Sequence, residues 1–200
     1  MFTGHIAGFG TGAGVRMVVG SWCESPFGRF ADVMVETAAG ERILLAPTDE
    51  IADFVSATYT FDRTTIGAVA VSHSGDGFTV AAPELEVTGR LGGPAPFDRL
   101  LRLVPPRIAV APWWLRAIDP IAARLIGGVR TAGSAGNDRR EYYGVRRTRR
   151  IAAVDVRFRG ADLGELGALE PAVRFGFSSA PAIPQMVSVT TTIELPTHPR

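Results

Sequence analysis

The feature that most constrains the fold of this chain is apolar–polar alternation with a period of two, repeated along its length. In 151–159 (IAAVDVRFR), Ala152, Val154, Val156 and Phe158 fall on one side of an extended backbone, and Asp155, Arg157 and Arg159 fall on the other. Segments 84–88 (ELEVT) and 186–195 (MVSVTTTIEL) alternate likewise, the second being rich in β-branched residues. Successive strand side chains point to opposite faces, so the pattern predicts half-buried antiparallel strands. Two hairpins are predicted. Phe30–Glu36 and Glu41–Ala46 flank a turn at Thr37–Gly40, and Thr65–Ser72 pairs with Phe78–Thr88 across Ser74-Gly75-Asp76-Gly77.

Helical signals are few and short. Thr48 is a good N-cap for a helix opening with Asp49 and Glu50, followed by Ile51, Phe54, Val55 and Thr58 at helical spacing. Phe97, Leu100, Leu101 and Val104 repeat that spacing until Pro105-Pro106 stops the helix. A third helix is predicted from Asp119-Pro120 to Gly127-Gly128. Strands do not alternate with helices of crossover length, which argues against a doubly wound parallel sheet. The expected fold class is therefore mainly β (β-rich α+β): an antiparallel β-barrel or strongly curved sheet with about three short helices. With 200 residues and no linker or repeat, one β-rich domain over 1–200 is expected.

Composition removes several chemistries. All 21 basic side chains other than histidine are arginine, so no lysine is present for a Schiff base or a P-loop. Cys23 is the single cysteine, which excludes an internal disulfide and a cysteine-rich zinc site. His5, His73 and His198 are scattered, so no metal site is expected. The N-terminus lacks the pattern of a signal peptide, and no apolar run is long enough to span a bilayer, so the expected location is cytoplasmic. No cofactor is implied.

Two motifs resemble known chemistry but sit in the wrong context. Gly8-Phe9-Gly10-Thr11-Gly12-Ala13 resembles a dinucleotide fingerprint, yet a strand pattern (Val15–Gly20) follows where a helix is needed, so we read a glycine turn between strands. Ala132-Gly133-Ser134-Ala135-Gly136 approximates a nucleophile elbow, with Asp155 or Asp162 and then His198 in the right order, but no helical stripe follows Ser134. It lies in a glycine- and serine-rich stretch (127–138) that reads as a long loop. Cys23 reads as a small buried hydrophobe. Trp113 and Trp114 read as core, or as the lining of a pocket or a contact with a membrane surface.

Segment 139–150 (RREYYGVRRTRR) carries six arginines and one glutamate, a net +5 in a chain whose whole balance is +1. Arginines interleaved with tyrosines suit phosphate contact and base stacking. Near-zero net charge and the alternation of a strand, which turns half of the arginines away from any one surface, argue against specific nucleic-acid binding.

Two stretches together resemble the acetoacetate decarboxylase-like superfamily. Ser25-Pro26-Phe27-Gly28-Arg29-Phe30-Ala31-Asp32-Val33 is similar to a glycine–aromatic–strand stretch of that family, and Arg140–Arg147 is similar to its Gly-Arg-Glu-x-x-Gly/Ala-Tyr-Pro-Lys segment. Arg140 and Glu141 match, Arg146 stands for the proline, and Arg147 stands where the Schiff-base lysine would be. The resemblance implies a cone-like β-barrel around a small apolar chamber, and the missing lysine removes the family's decarboxylation. On this basis the expected function is binding of a small organic anion or apolar carboxylate, with Arg140, Glu141, Tyr143 and Arg147 as the polar lining. Two alternatives remain open: an enzyme in the same barrel with Glu141 as general base, and a binding module using the 139–150 arginines. Homo-oligomerisation is left open.

Overall fold

The computed structural model describes residues 1–125, 131–135, 139–176 and 180–194. In chain order its elements are β1 (Phe2–Thr11), β2 (Arg16–Glu24), β3 (Phe30–Glu36), β4 (Arg42–Ala46), α1 (Asp49–Ser56), β5 (Arg63–Ile66), β6 (Ala70–Ser74), β7 (Gly77–Ala82) and β8 (Leu85–Pro94). There follow α2 (Asp98–Leu101), α3 (Pro106–Ala109), α4 (Pro112–Leu125), β9 (Ala132–Ala135), β10 (Arg139–Phe158), β11 (Ala161–Asp162), β12 (Leu166–Gly167) and β13 (Gln185–Glu194). The strands form one sheet whose main path runs β5-β4-β3-β2-β1-β13-β10-β8-β7-β6. All its pairings are antiparallel except β4 with β5. The expected β-rich, strongly curved architecture is present: 51% of the residues are strand and 16% helix, arranged as a half-barrel.

The curl is visible in the core. Val33, Val35, Ile43 and Leu45, from one end of the sheet, share a buried cluster with Phe78, Val80, Leu85 and Val87 from the other end. A flat sheet would hold these groups far apart; burying them together requires the sheet to bend round its own apolar face. The 20-residue β10 makes this possible. Register shifts interrupt its pairing with β13 between Val145 and Arg147, and with β8 around Ile151. Such bulges bend a strand and re-aim its side chains. Ile151, Val156 and Phe158 therefore enter the core cluster, while the first half of β10 serves the other face of the sheet.

Several predicted elements shift. Thr65 belongs to β5 and not to the hairpin, because the parallel pairing Leu45↔Thr65 recruits it to the β4 edge. Segment 78–88 is two strands, since Glu84 takes a positive φ of 62° and turns the chain. The helix predicted from Phe97 shortens to α2, and α3 restarts at Pro106. The third helix begins at Pro112, and Asp119-Pro120 lies inside it. Asp119 caps no helix there: its Oδ1 accepts from the Thr131 and Ala132 backbone N–H groups at 2.7 and 3.1 Å. The predicted end of that helix at 127–128 and position 195 of the last strand lie outside the described residues, as do 136–138 of the predicted loop. Within that loop, β9 pairs with β10. Gly144 permits α3 to approach β10, since a Cβ there would lie 2.8 Å from the Ala109 carbonyl oxygen.

The other face of β1–β3 and β13 is covered by α1, by α2–α4 and by the segment that includes Val173 and Phe175. An ion cluster with a buried centre, Arg16 and Glu36, and an exposed member, Arg174, fastens that segment. Glu36, fully buried at the end of β3, meets Arg16 Nη2 at 3.0 Å and Arg174 Nε at 2.8 Å, and accepts the Arg174 backbone N–H at 2.8 Å. Arg16 Nη1 also donates to the Pro171 carbonyl oxygen at 2.7 Å. Removing one member of such a cluster leaves the other charge buried without compensation. Glu36→Gln is therefore expected to lower unfolding free energy by about 3–5 kcal/mol in urea titration; a loss within experimental error would show that the cluster does not hold the segment.

Candidate functional site

Between the sheet and its covering elements lies a cavity of about 510 Å³. That is within the range of roughly 300–1,000 Å³ common to small-molecule sites. Its wall is mainly apolar, and strand alternation explains why. On β1, β2 and β3 the odd positions Ala7, Phe9, Met17, Val19, Val33 and Val35 fill the core of the half-barrel, while the even positions Ile6, Val18, Gly20, Trp22, Asp32 and Met34 line the cavity. Both faces are apolar, so both need cover. The chamber therefore lies on the face opposite the packed core, and that core fills the hollow of the half-barrel.

Among the described residues, two groups bring a carboxyl into the apolar wall. The first joins the end of α1 to β10. Tyr143 Oη donates to Glu141 Oε2 at 2.7 Å, Tyr59 Oη lies 3.1 Å from the same oxygen, and the two hydroxyls are 2.6 Å apart. Glu141 and Tyr143 are two apart on β10 and so share a face. Burial, together with the neighbouring Glu141 charge, pushes both phenols well above their ordinary range, so they remain protonated. Each hydroxyl has one proton to give. Either can donate to Glu141 Oε2, and the other then donates to the same oxygen or to its neighbouring hydroxyl.

The second is Asp32, in the middle of β3 and only 3% exposed. Trp22 Nε1 donates to its Oδ1 at 3.0 Å, and among the described residues no other hydrogen bond or ion pair reaches the carboxyl. Gly20 makes this pair possible, because a Cβ at that position would sit 2.5 Å from Asp32 Oδ1 and 2.8 Å from Trp22 Nε1. Burial raises the Asp32 pKa to about 6, only partly opposed by the Trp22 hydrogen bond. Thr148 and Thr191 add two buried hydroxyls with no partner to the same lining.

The residues expected from sequence divide cleanly. Glu141 and Tyr143 line the cavity. Arg140 is exposed on the opposite side of β10, because pairing is regular from Arg140 to Val145 and the bulge comes only afterwards. Arg147 is also outside the lining; its side chain is mostly exposed and its Nε meets Asp98 Oδ1 at 3.4 Å. Tyr142, between the two site residues, is buried the other way, where Arg116 of α4 donates to its hydroxyl at 2.8 Å through Nε and also through Nη2. Sequence reasoning missed Asp32, Trp22 and Tyr59. One signal was available, a lone acid in the apolar run Phe30-Ala31-Asp32-Val33-Met34-Val35.

The remaining candidates are dispersed. Cys23 is exposed, with Sγ 3.1 Å from the Thr3 carbonyl oxygen. Gly12 and Gly14 form the turn between β1 and β2. Ser134 lies on β9, and His198 lies outside the described residues. His5 and His73 do meet, with ring centroids 5.1 Å apart, although β1 and β6 are not neighbours in the sheet. Among the described residues no group of three or more potential metal ligands occurs, and no helix is long and apolar enough to cross a membrane. No family model, curated protein or solved structure matches the chain.

Asp32 makes a measurable demand on stability. Its folded pKa, about 6, lies above its ordinary 3.8. Between these values the folded protein binds more protons than the unfolded chain, so stability falls as pH rises from about 4 to about 6. The full effect is on the order of 3 kcal/mol, at about 1.4 kcal/mol per pH unit. Asp32→Asn is expected to remove that part of the slope and to raise stability at pH 7 in denaturant titrations; an unchanged slope would contradict a desolvated Asp32.

Proposed function

We propose that this protein binds a small, largely apolar organic molecule in the cavity, and that the molecule presents a hydrogen-bond donor or a positive charge to Asp32 and Glu141. The observation that carries this reading is Asp32: a carboxyl buried in an apolar wall, with one oxygen on Trp22 and the other unoccupied. Leaving a carboxylate so poorly solvated costs free energy, and a ligand donor would recover it. Glu141, whose Oε2 is reached by the Tyr59 and Tyr143 hydroxyls, adds a second carboxyl to the same wall. Aromatic rings gather round Trp22, the partner of Asp32: Phe2 lies 5.7 Å from Trp22 and 6.4 Å from Phe30, and all three line the cavity. Ring faces attract a cation as the carboxylate does.

The arginines that suggested an anionic ligand do not support one here, since Arg140 and Arg147 are outside the lining. The resemblance to the acetoacetate decarboxylase-like superfamily stands as a proposal of shared architecture; Glu141 in the chamber wall supports it, and the position of its lysine is held by an outward-facing Arg147. Catalysis with Glu141 as general base is the less favoured reading. Oε2 would have to accept a substrate proton where two tyrosine hydroxyls already lie.

A matched probe series separates these readings. We expect 1-naphthylmethylamine to bind more tightly than 1-naphthylmethanol, and at least tenfold more tightly than 1-naphthoic acid, by calorimetry at pH 7. Asp32→Asn should close the gap between amine and alcohol. Amine affinity should decline as pH falls below about 6, where Asp32 becomes protonated. Tightest binding by the acid would overturn the charge preference, and failure of all three probes would overturn the ligand-site reading.

A further inference from the structure

We propose that the helical rim of the cavity is a docking surface for anionic lipid bilayers. Residues 97–125 contain five arginines, Arg99, Arg102, Arg107, Arg116 and Arg124, against two acids, Asp98 and Asp119. Both acids are buried, so the outward charge of α2–α4 is positive throughout. Arg116 is engaged by Tyr142, but Arg99, Arg102 and Arg107 are exposed and make no ion pair among the described residues. Some arginines elsewhere on the surface are paired, Arg42 with Asp62, Arg149 with Asp76, and Arg63 and Arg159 with Glu84, while others such as Arg90 and Arg157 are exposed like those of the rim; what sets the rim apart is its arginines standing among exposed apolar side chains.

The same stretch exposes large apolar side chains. Leu103 is 78% exposed and Trp113 62%, and Phe97, Leu100 and Ile121 are also exposed. Single apolar residues at a surface are ordinary, but these are neighbours: Phe97, Leu100 and Ile121, with the exposed Ile183, all border the one cavity. Trp113 stands beside them, its ring 6.0 Å from that of Trp114 in the cavity wall. Short helices that expose leucine and tryptophan among unpaired arginines match what a bilayer interface holds, with apolar groups in the acyl boundary and guanidinium groups at the phosphates.

Charge selects this occupant over the others. A two-fold contact with a second copy would bring Arg99, Arg102 and Arg107 against the same arginines. A nucleic acid would satisfy the arginines but leave Leu103 and Trp113 in water. On an anionic bilayer both sets are satisfied, and the cavity mouth faces the membrane, so an apolar ligand passes between them without crossing water.

The test is co-sedimentation with vesicles of phosphatidylcholine alone and of equimolar phosphatidylcholine and phosphatidylglycerol. Association is expected with the mixed vesicles and at least tenfold weaker with phosphatidylcholine alone or at high salt. An interfacial arginine contributes about a fivefold factor, so the double variant Arg102→Gln/Arg107→Gln should bind at least tenfold more weakly. Leu103→Glu/Trp113→Glu should abolish association. None of these four residues lines the cavity, so binding of the naphthyl probes by each variant serves as the check on folding. Absence of wild-type association with the mixed vesicles would overturn the proposal, as would equal association by both variants. So would concentration-dependent self-association in sedimentation velocity that Leu103→Glu removes, because the face would then be a contact between copies.

Discussion

The cavity exists because β1, β2 and β3 carry apolar or small side chains on both faces. One set, with Phe9, Met17 and Val33 at its centre, closes on β7 and β8 and curls the sheet. The other set needs cover that the curled sheet cannot give, since the sheet bends towards the first. Short helices and the segment anchored by Glu36 supply that cover. A few scattered elements do not pack to the density of two interdigitating layers, and space remains between them. The chamber follows from where the chain places its second apolar face.

Polar groups in such a chamber are costly unless they are used. In the cluster of Tyr59, Glu141 and Tyr143, both hydroxyls lie within hydrogen-bond distance of Glu141 Oε2 and of each other. Asp32 has a single partner among the described residues. Its strand position is held by backbone pairing with Gly20, one oxygen is held by Trp22, and the glycine opposite keeps the space open. A valine at position 32 would pack that wall better. An acid kept in this environment at the expense of stability is a frequent mark of a functional site. Outside, α2–α4 and the turns between them keep leucines, a tryptophan and arginines together in water.

Much of the architecture was legible in the sequence because strand alternation and turn chemistry are local. The β3–β4 hairpin, the Thr48 cap, whose Oγ1 accepts the Ile51 N–H at 3.3 Å, and the β-rich class all follow from neighbours in the chain. What failed was non-local. Asp119-Pro120 carries a good start signal, but Pro112 starts the helix earlier and Asp119 serves the backbone at Thr131. The arginine-rich segment named Glu141 and Tyr143, and alternation puts both on the face that lines the cavity. It also named Arg140 and Arg147, which lie outside that lining: the bulge lies beyond Val145, so Arg140 stays opposite Glu141, and past the bulge it is Thr148 that turns inward while Arg147 faces out. Tyr59 and Asp32 reach the site from 82 and 109 positions before Glu141, a convergence set by sheet curl and not by any motif.

The central claim is that Asp32 is a desolvated carboxyl waiting in the cavity for a donor. Carbon-13 NMR titration of the Asp32 side chain, with and without a lipophilic amine, measures this directly. In the free protein the midpoint should lie near 6, and saturating amine should move it down, because the bound cation favours the ionised carboxylate. An Asp32 that titrates near 4 in the free protein, with no response to the amine, would mean that the group is solvated and that the cavity is not organised around it.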